Sequence, residues 1–291
     1  MVTSELTHFP RHSIAHTWRF GYRTPMHQER NRLLAALPAP DYELMLAYLE
    51  TVELPAQHVL AWPEQPIEYV YFPRDGLVSV LVPMESGKSV EGAVVGNEGI
   101  VGLQAFLGDG VAREELVQIT AGQAARLPVS VFRETVKRSR TLQTLLSRYA
   151  LALITHMART AGCNRVHSVE QRLARLLLMI GDRTGRKELA LTHDLLAGML
   201  GARRASVTEA FGVLADAGLI DYRRGQLTVK ERLGLEAAAC EDYRLSRDAF
   251  ERMFVEFAAV SNSDGRSTHV ARPIEDPASG QPRQGRWAVL A

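Results

Sequence analysis

The sequence predicts an α+β fold, with an N-terminal antiparallel β jelly roll, then one long helix, then a C-terminal unit of helices and a β-hairpin. Short β-branched and aromatic runs alternate with Pro, Gly and Asp turns between Val52 and about Pro128. A helical composition follows from about Thr141 to Val166. Residues 188–232 then give strand, helix, glycine turn, helix and hairpin in order. The chain has 291 residues, 46% of them hydrophobic, and can therefore bury two cores of ordinary size.

Composition excludes several classes of protein. The formal net charge is +1, so any surface for nucleic acid must come from local clusters of basic residues. The two cysteines, Cys163 and Cys240, are far apart and outside any Cys-x-x-Cys pattern, which argues against a disulfide framework, an iron-sulfur cluster and a zinc site. We therefore expect no metal and no cofactor.

The expected location is the reducing cytoplasm, without membrane contact. The N-terminus lacks the apolar core of a signal peptide. No stretch of about 18 uninterrupted apolar residues predicts a membrane span.

The N-terminal half divides into an extension and the roll. Residues 1–30 lack hydrophobic periodicity, which predicts a flexible extension. Three of its histidines have helical spacing, but no cysteine or carboxylate completes a metal-ligand set, so a metal site is not expected there. Residues 31–138 predict the β-roll domain, which begins with short helices broken at Pro38 and Pro40. A roll of this size commonly encloses a ligand.

Residues 139–166 predict a long dimerisation helix. Its apolar stripe follows the three-and-four alternation of a coiled coil, and we predict a dimer seam at Leu142, Leu145, Leu146, Tyr149 and Leu153. The opposite flank carries Leu151, Ala152 and Ile154, so one face should pack on the roll and the other on a second copy. The alternative is that the helix packs only against its own β-domain.

Residues 167–243 predict a C-terminal helical domain. Its first helix, from about Val169 to Gly181, has an apolar face of four leucine and isoleucine residues. The remaining face carries arginines that we expect to point outward, namely Arg172, Arg175 and Arg183.

The segment around Gly201 has the pattern of a helix-turn-helix. Thr192 is a suitable N-cap for the first helix, and Gly201 provides the turn. In the second helix, apolar residues at i, i+4 and i+7 point inward, and the polar residues near its start point outward: Arg203, Arg204, Ser206 and Thr208. The start of such a helix enters the DNA major groove, where arginine donates two hydrogen bonds to guanine.

The next residues predict a β-hairpin wing. Helix end, strand, glycine turn and strand follow one another from Ala217 to Val229. Arg223 and Arg224 at the tip would contact the DNA backbone. Together these elements predict a winged helix-turn-helix that binds double-stranded DNA; the alternative is that its arginines lie on an ordinary solvated face.

The order of roll, long helix and winged helix-turn-helix resembles the Crp/Fnr family of bacterial transcription regulators. The resemblance covers about residues 31–243 and is carried by these segments: Ile67–Pro73, Gly87–Glu91, Val95–Leu103, Leu200–Thr208 and Ala238–Tyr243. It implies a homodimer that binds a two-fold operator, acts with RNA polymerase, senses a small molecule through the roll and is not an enzyme. No catalytic residue is expected.

The resemblance places the effector site at Gly102, Leu103 and Arg113. Members that bind cyclic AMP have Gly-Glu-Leu and Arg-Ser at these two positions, whereas this chain has Gly102-Leu103-Gln104 and Arg113-Glu114. Leucine cannot accept the ribose hydroxyl, and a carboxylate repels the cyclic phosphate. We therefore predict an unknown effector other than cyclic AMP; a regulator responsive to cyclic nucleotides is the alternative.

Ala205 and Glu209 stand where the resemblance implies a glutamate and a second arginine, so the operator should differ from the family's commonest one.

Three further hypotheses concern the remaining residues. A cupin-type metalloenzyme would need several histidines in the roll, where His58 is the only one. Cys163 is either a redox switch across the dimer axis or an unreactive small residue. Residues 244–291 predict a C-terminal extension, disordered after about Phe257.

Overall fold

The computed structural model describes residues 29–85, 89–223 and 225–264, with backbone only for 259–264. The first 28 residues of the predicted extension, Arg224 of the predicted wing tip and the last 27 residues of the predicted C-terminal extension lie outside this range.

Two short helices, α1 (Arg32–Ala36) and α2 (Ala39–Leu46), precede the roll. The buried side chain of Asn31 accepts hydrogen bonds from the first turn of α1. The same side chain donates to the carbonyls of Pro73 and Gly99, at 2.9 and 2.8 Å. Asn31 therefore begins the first helix and fixes it to the roll.

The β-domain is an antiparallel roll of two sheets, as the sequence predicts. Its strands are β1 (Glu50–Leu54), β2 (Val59–Ala61), β3 (Tyr69–Pro73), β4 (Leu77–Pro83), β5 (Ser89–Val95), β6 (Glu115–Thr120) and β7 (Gly122–Pro128). One sheet has the order β1-β7-β3 and the other β2-β6-β4-β5. Along β3 the side chains alternate, because Tyr71 points into the roll whereas Val70 and Phe72 pack against the helices.

Helix α3 (Gln104–Leu107) lies within the roll, between β5 and β6. Two helices follow the roll, α4 (Val129–Arg138) and the long α5 (Arg140–Val166). The predicted dimer seam on α5 is wrong. Four of the five predicted residues are buried inside the protomer: Leu142, Leu145, Leu146 and Tyr149. The fifth, Leu153, is partly buried in the same cluster. The exposed face of α5 carries Leu151 and Ile154 instead, at 66% and 60% exposure.

Helix α6 (Val169–Thr184) begins at a capping box formed by Ser168 and Gln171. The outward orientation predicted for Arg172, Arg175 and Arg183 is wrong, because all three are buried. Arg172 donates to the Leu200 carbonyl, and Arg183 donates to the Val94 carbonyl. The helix lies between the roll and the C-terminal helices and therefore has no solvated face along most of its length.

The C-terminal domain has the predicted order of elements. It contains β8 (Glu188–Ala190), α7 (His193–Leu200), α8 (Arg204–Asp216), β9 (Ile220–Arg223), β10 (Gln226–Val229) and α9 (Arg232–Ala238). The three strands form an antiparallel sheet in the order β8-β10-β9.

A last helix, α10 (Asp242–Asp264), packs along α5. The prediction of an extension from 244, disordered after about Phe257, is therefore wrong as far as residue 264. Phe250, Met253 and Phe257 are spaced at three and four residues and are buried against α5 and the roll. This apolar spacing is the sequence pattern that could have revealed the helix.

No helix among the described residues is both long enough and apolar enough to span a bilayer.

Removing an aromatic ring from α10 should destabilise the protein. Phe257→Ala leaves a cavity beside α5, and we expect it to lower the free energy of unfolding by about 3–5 kcal/mol. Val255→Ala, at an exposed position of the same helix, should change it by less than about 0.5 kcal/mol. Urea unfolding followed by circular dichroism measures both, and equal effects would contradict the packing of α10.

Candidate nucleic-acid interface

The α7–turn–α8 unit presents the start of α8 to solvent. The Thr192 hydroxyl caps α7 by accepting from the Leu195 amide at 3.2 Å. Gly201 adopts φ +57°, a conformation that favours glycine and that turns the chain between the helices. The apolar face of α8 is buried, with Val207, Phe211 and Leu214 packed inward. The opposite face of α8 is therefore available to a ligand.

The predicted contact residues on α8 differ in exposure and in the hydrogen bonds that they already make. Arg203 and Arg204 are exposed, and Arg204 forms only an exposed ion pair with Asp194, at 3.3 Å. Such a pair contributes little stability and can exchange for a phosphate or a base. The Thr208 hydroxyl is less free, because it donates to the Arg204 carbonyl at 3.1 Å and lies 3.0 Å from His193 Nδ1. Ser206 is half-buried.

An aromatic stack joins the two helices to the wing, and sequence reasoning missed it. The ring of His193 lies 4.4 Å from that of Phe211 and 4.8 Å from that of Tyr222. The Tyr222 hydroxyl donates to the Leu191 carbonyl at 3.2 Å. Burial and then the charge of Arg204 lower the pKa of His193. The histidine is therefore neutral at pH 7 and acts as a packing residue.

The wing carries one described arginine. Arg223, at the end of β9, is 83% exposed and pairs with Asp221 at 3.1 Å. Gly225, at φ +82°, lies in the turn to β10. Arg223 therefore points freely into solvent near the tip.

The predicted effector residues have three different environments. Gly102 adopts φ +89° and packs closely against β3. Leu103 is buried in the core cluster with the helices, so it is a core residue rather than a ligand contact. Arg113 is exposed and is held by Asp109 and Glu64, at 2.7 and 3.2 Å. The structure does not bring these side chains together around a cavity.

The roll and the C-terminal domain meet at a buried ion pair. Arg183 on α6 lies 3.0 Å from Glu98 in the roll, and both side chains are buried. The Glu98 carboxylate also accepts from the Gly96 amide, and Arg183 donates to the Val94 carbonyl at 2.9 Å. Every charged group of this contact therefore has a partner.

Two cavities lie along the same junction. The first, of about 300 Å³, lies between the roll, α6 and α10 and includes Asp182, Arg232 and Tyr243. The second, of about 360 Å³, lies between β4, β6 and α7, with Ser79, Gln118 and Met199 in its lining. Both are built from residues distant in sequence, and sequence reasoning identified neither.

A β-roll joined by a long helix to a winged helix-turn-helix is the architecture of a DNA-binding transcription regulator. The family model of the cyclic nucleotide-binding domain matches residues 51–139, and that of the Crp-like helix-turn-helix domain matches residues 171–238. The chain belongs to the Crp/Fnr family of transcription regulators. A comparison with curated proteins finds no match.

Solved structures share this fold. FixK2 from Bradyrhizobium japonicum matches with a TM-score of 0.57 at 17% identity, over 66% of this chain and 98% of its own. A Crp/Fnr-family regulator from Thermus thermophilus matches with a TM-score of 0.53 at 25% identity, over 65% and 98%. The c-di-GMP responsive global regulator CLP of Xanthomonas campestris gives 0.50 at 17% identity, over 66% and 99%.

Breaking the junction ion pair should be costly. Arg183→Met leaves the Glu98 carboxylate buried without its partner, and we expect a loss of about 3–5 kcal/mol in the free energy of unfolding. Adding Glu98→Gln should recover part of the loss, since the unpaired charge is then removed. Arg186→Met is the matched control, because Arg186 forms a longer and only partly buried pair with Asp75. Urea unfolding of five proteins tests this: the unmodified protein, Arg183→Met, Glu98→Gln, the double variant and Arg186→Met. Strictly additive effects of the Arg183 and Glu98 changes would contradict a coupled pair.

Proposed function

We propose that the chain is a homodimer that binds a two-fold DNA operator and regulates transcription with RNA polymerase in the cytoplasm. The observation that carries the proposal is the exposed Arg203-Arg204 pair at the start of α8. Arg204 pairs only with exposed Asp194 among the described ion pairs, so both guanidiniums can turn to a ligand at little cost.

DNA contacts divide between two elements. Arg203 and Arg204 donate to base edges in the major groove, with Ser206 and Thr208 beside them on α8. Arg223 and Arg224 of the wing contact phosphates and add affinity that depends on salt rather than on sequence. Two half-sites about one helical turn apart match the two recognition helices of a dimer.

The exposed face of α5 supports the dimer. Leu151, Ile154, Ala158 and Ala161 are all exposed and follow the three-and-four spacing of a coiled-coil seam. This stripe lies opposite the residues first predicted for the seam, which α10 and the roll cover. A second copy of α5 would bury the stripe, and we place the dimer axis here.

The effector remains a separate part of the proposal. Leu103 and Glu114 oppose cyclic AMP at the positions where the family binds its ribose and phosphate, and Glu114 is already hydrogen-bonded by Gln104 at 2.7 Å. The Xanthomonas regulator responds to c-di-GMP, so a shared fold does not require a shared effector. We propose a small-molecule effector other than cyclic AMP.

The arginines of α8 should determine DNA affinity. We expect Arg203→Ala and Arg204→Ala each to weaken binding about 5- to 150-fold, which corresponds to about 1–3 kcal/mol, and to relax sequence preference. Arg223→Ala should weaken binding to all sequences alike and reduce the salt slope by about 1. Fluorescence anisotropy at several salt concentrations measures these effects, on a promoter fragment recovered by genome-wide immunoprecipitation.

Arg138→Ala provides the matched control for the DNA experiment, because Arg138 is an exposed arginine on α4 in the roll domain. Its affinity and salt slope should equal those of the unmodified protein. If Arg203→Ala and Arg204→Ala also matched the unmodified protein, α8 would not be the recognition helix.

A charge on the exposed face of α5 should dissociate the dimer. We expect Ile154→Lys to raise the dimer dissociation constant at least about 100-fold, because two unpaired ammonium groups would be buried at the seam. Val255→Lys introduces the same charge at an exposed position of α10 and should leave the dimer intact. Analytical ultracentrifugation distinguishes the species; an Ile154→Lys dimer of unchanged stability would place the interface elsewhere.

A further inference from the structure

Four potential metal ligands meet at the junction of α5, α6 and α10. They are Cys163, His167, Cys240 and Asp242, and one ligand atom from each lies within 4.8 Å of all the others. Cys163 is in the last turn of α5 and His167 follows four residues later as its C-cap. Cys240 lies in the connection between α9 and α10, and Asp242 is the first residue of α10. The separation of the two cysteines in sequence argued against a disulfide framework and a metal site, but the folded chain brings their sulfur atoms together.

The distances fit tetrahedral coordination. In a zinc site, bond lengths of about 2.0–2.3 Å place neighbouring ligand atoms roughly 3.3–3.8 Å apart. The two sulfur atoms here are 3.4 Å apart, and His167 Nδ1 is 3.7 Å from an Asp242 carboxylate oxygen. Only small side-chain movements are needed for all four atoms to surround one ion.

The surrounding groups have the arrangement that supports metal ligands. His167 Nδ1 is buried and has no hydrogen-bond partner among the described residues. His167 Nε2 lies 3.1 Å from Glu241, in the way that a carboxylate orients a metal-bound histidine. Arg159 donates to the second oxygen of Asp242 at 3.0 Å. A second residue thus orients the His167 ring and another orients the Asp242 carboxylate.

The charge balance favours a divalent ion. Two thiolates and one carboxylate carry three negative charges, so an ion of charge +2 leaves a net charge of −1 beside Arg159.

We propose that Cys163, His167, Cys240 and Asp242 bind one thiophilic divalent transition-metal ion, of which Zn²⁺ is the best match to this donor set. The metal site extends the proposed function, and its role in regulation rests on that proposed function. A bound ion links the end of α5, through Cys163 and His167, to the segment that follows α9, through Cys240 and Asp242, so it fixes the proposed dimer helix relative to the C-terminal domain that contains α8. Metal occupancy then sets the DNA-binding geometry.

A disulfide between the two cysteines is the competing explanation. It would use both sulfur atoms but would leave His167 Nδ1 buried without a partner. The arrangement of four donors with two supporting side chains is more than a disulfide requires, so the metal site accounts for more of the observed geometry.

The test uses the full-length protein, reduced and freed of metal by chelation. Co²⁺ should bind with one ion per chain and give the thiolate-to-cobalt charge-transfer band together with the visible bands of tetrahedral cobalt. Because Cys163 and Cys240 are the only cysteines in the sequence, the charge-transfer band reports these two residues. Zn²⁺ should displace Co²⁺ at one equivalent.

Variants separate ligands from supporting residues. Cys163→Ser and Cys240→Ser should each reduce the charge-transfer intensity by at least half, and His167→Ala should reduce bound metal to below about 0.1 per chain at micromolar metal. Glu241→Gln should keep one ion per chain but weaken affinity about 10- to 100-fold. Asp248→Asn, a carboxylate farther along α10, is the control and should bind as the unmodified protein does.

Several results would overturn the inference. One is a folded, reduced protein that gives no charge-transfer band, a readout that does not depend on any variant folding. Another is a Cys163→Ser protein whose band is unchanged, and a third is recovery of the purified protein as a disulfide that binds no metal after reduction.

DNA binding, measured by anisotropy with and without Zn²⁺, separates the two proposals. DNA binding without cobalt binding removes the metal site alone, whereas cobalt binding without DNA binding removes the proposed function alone. A shift in DNA affinity of at least 10-fold on adding Zn²⁺ supports the regulatory part. An unchanged affinity in a metal-loaded protein overturns that part.

Discussion

The buried ion pair between Glu98 and Arg183 fixes the position of the C-terminal domain on the roll. It lies where α6 crosses the end of β5, and both groups have lost their water. A buried charge is tolerated only when its partner and hydrogen bonds are in place. Glu98 meets this condition through the Gly96 amide, and Arg183 meets it through the Val94 carbonyl. The contact therefore specifies one relative position of the two domains more than it adds stability.

The apolar core around α5 supports this arrangement from the other side. Tyr149 packs against Gly99, next to Glu98, at a position where any larger residue would collide with the ring. Helix α10 then covers the remaining side of α5 with Phe250 and Phe257. Since α10 follows the DNA-binding domain in the chain but packs on α5, it closes the structure around the junction.

Polar groups concentrate where α5, α6 and α10 meet. His156 on α5 is buried, and its Nδ1 lies 3.1 Å from the Ser246 hydroxyl of α10. Burial, and then the charges of Arg183 and Arg175, hold its pKa well below the usual value, so it is neutral. About two turns further along α5, the cysteine and histidine cluster begins at Cys163. The junction of α5, α6 and α10 therefore holds both this buried histidine and the four proposed metal ligands.

The sequence by itself determined the elements whose signals are local. Capping at Thr192, the turn at Gly201 and the apolar spacing of α8 act within a few residues, so the helix-turn-helix, the wing strands and the roll were predictable. It could not determine which of two apolar faces of α5 packs inside the protomer, because both have helical spacing. It also placed three α6 arginines in solvent, since burial of a charge depends on distant partners such as Glu98. Only the tertiary structure brought Cys163 to Cys240, because folding α10 back along α5 joins segments separated by 77 residues.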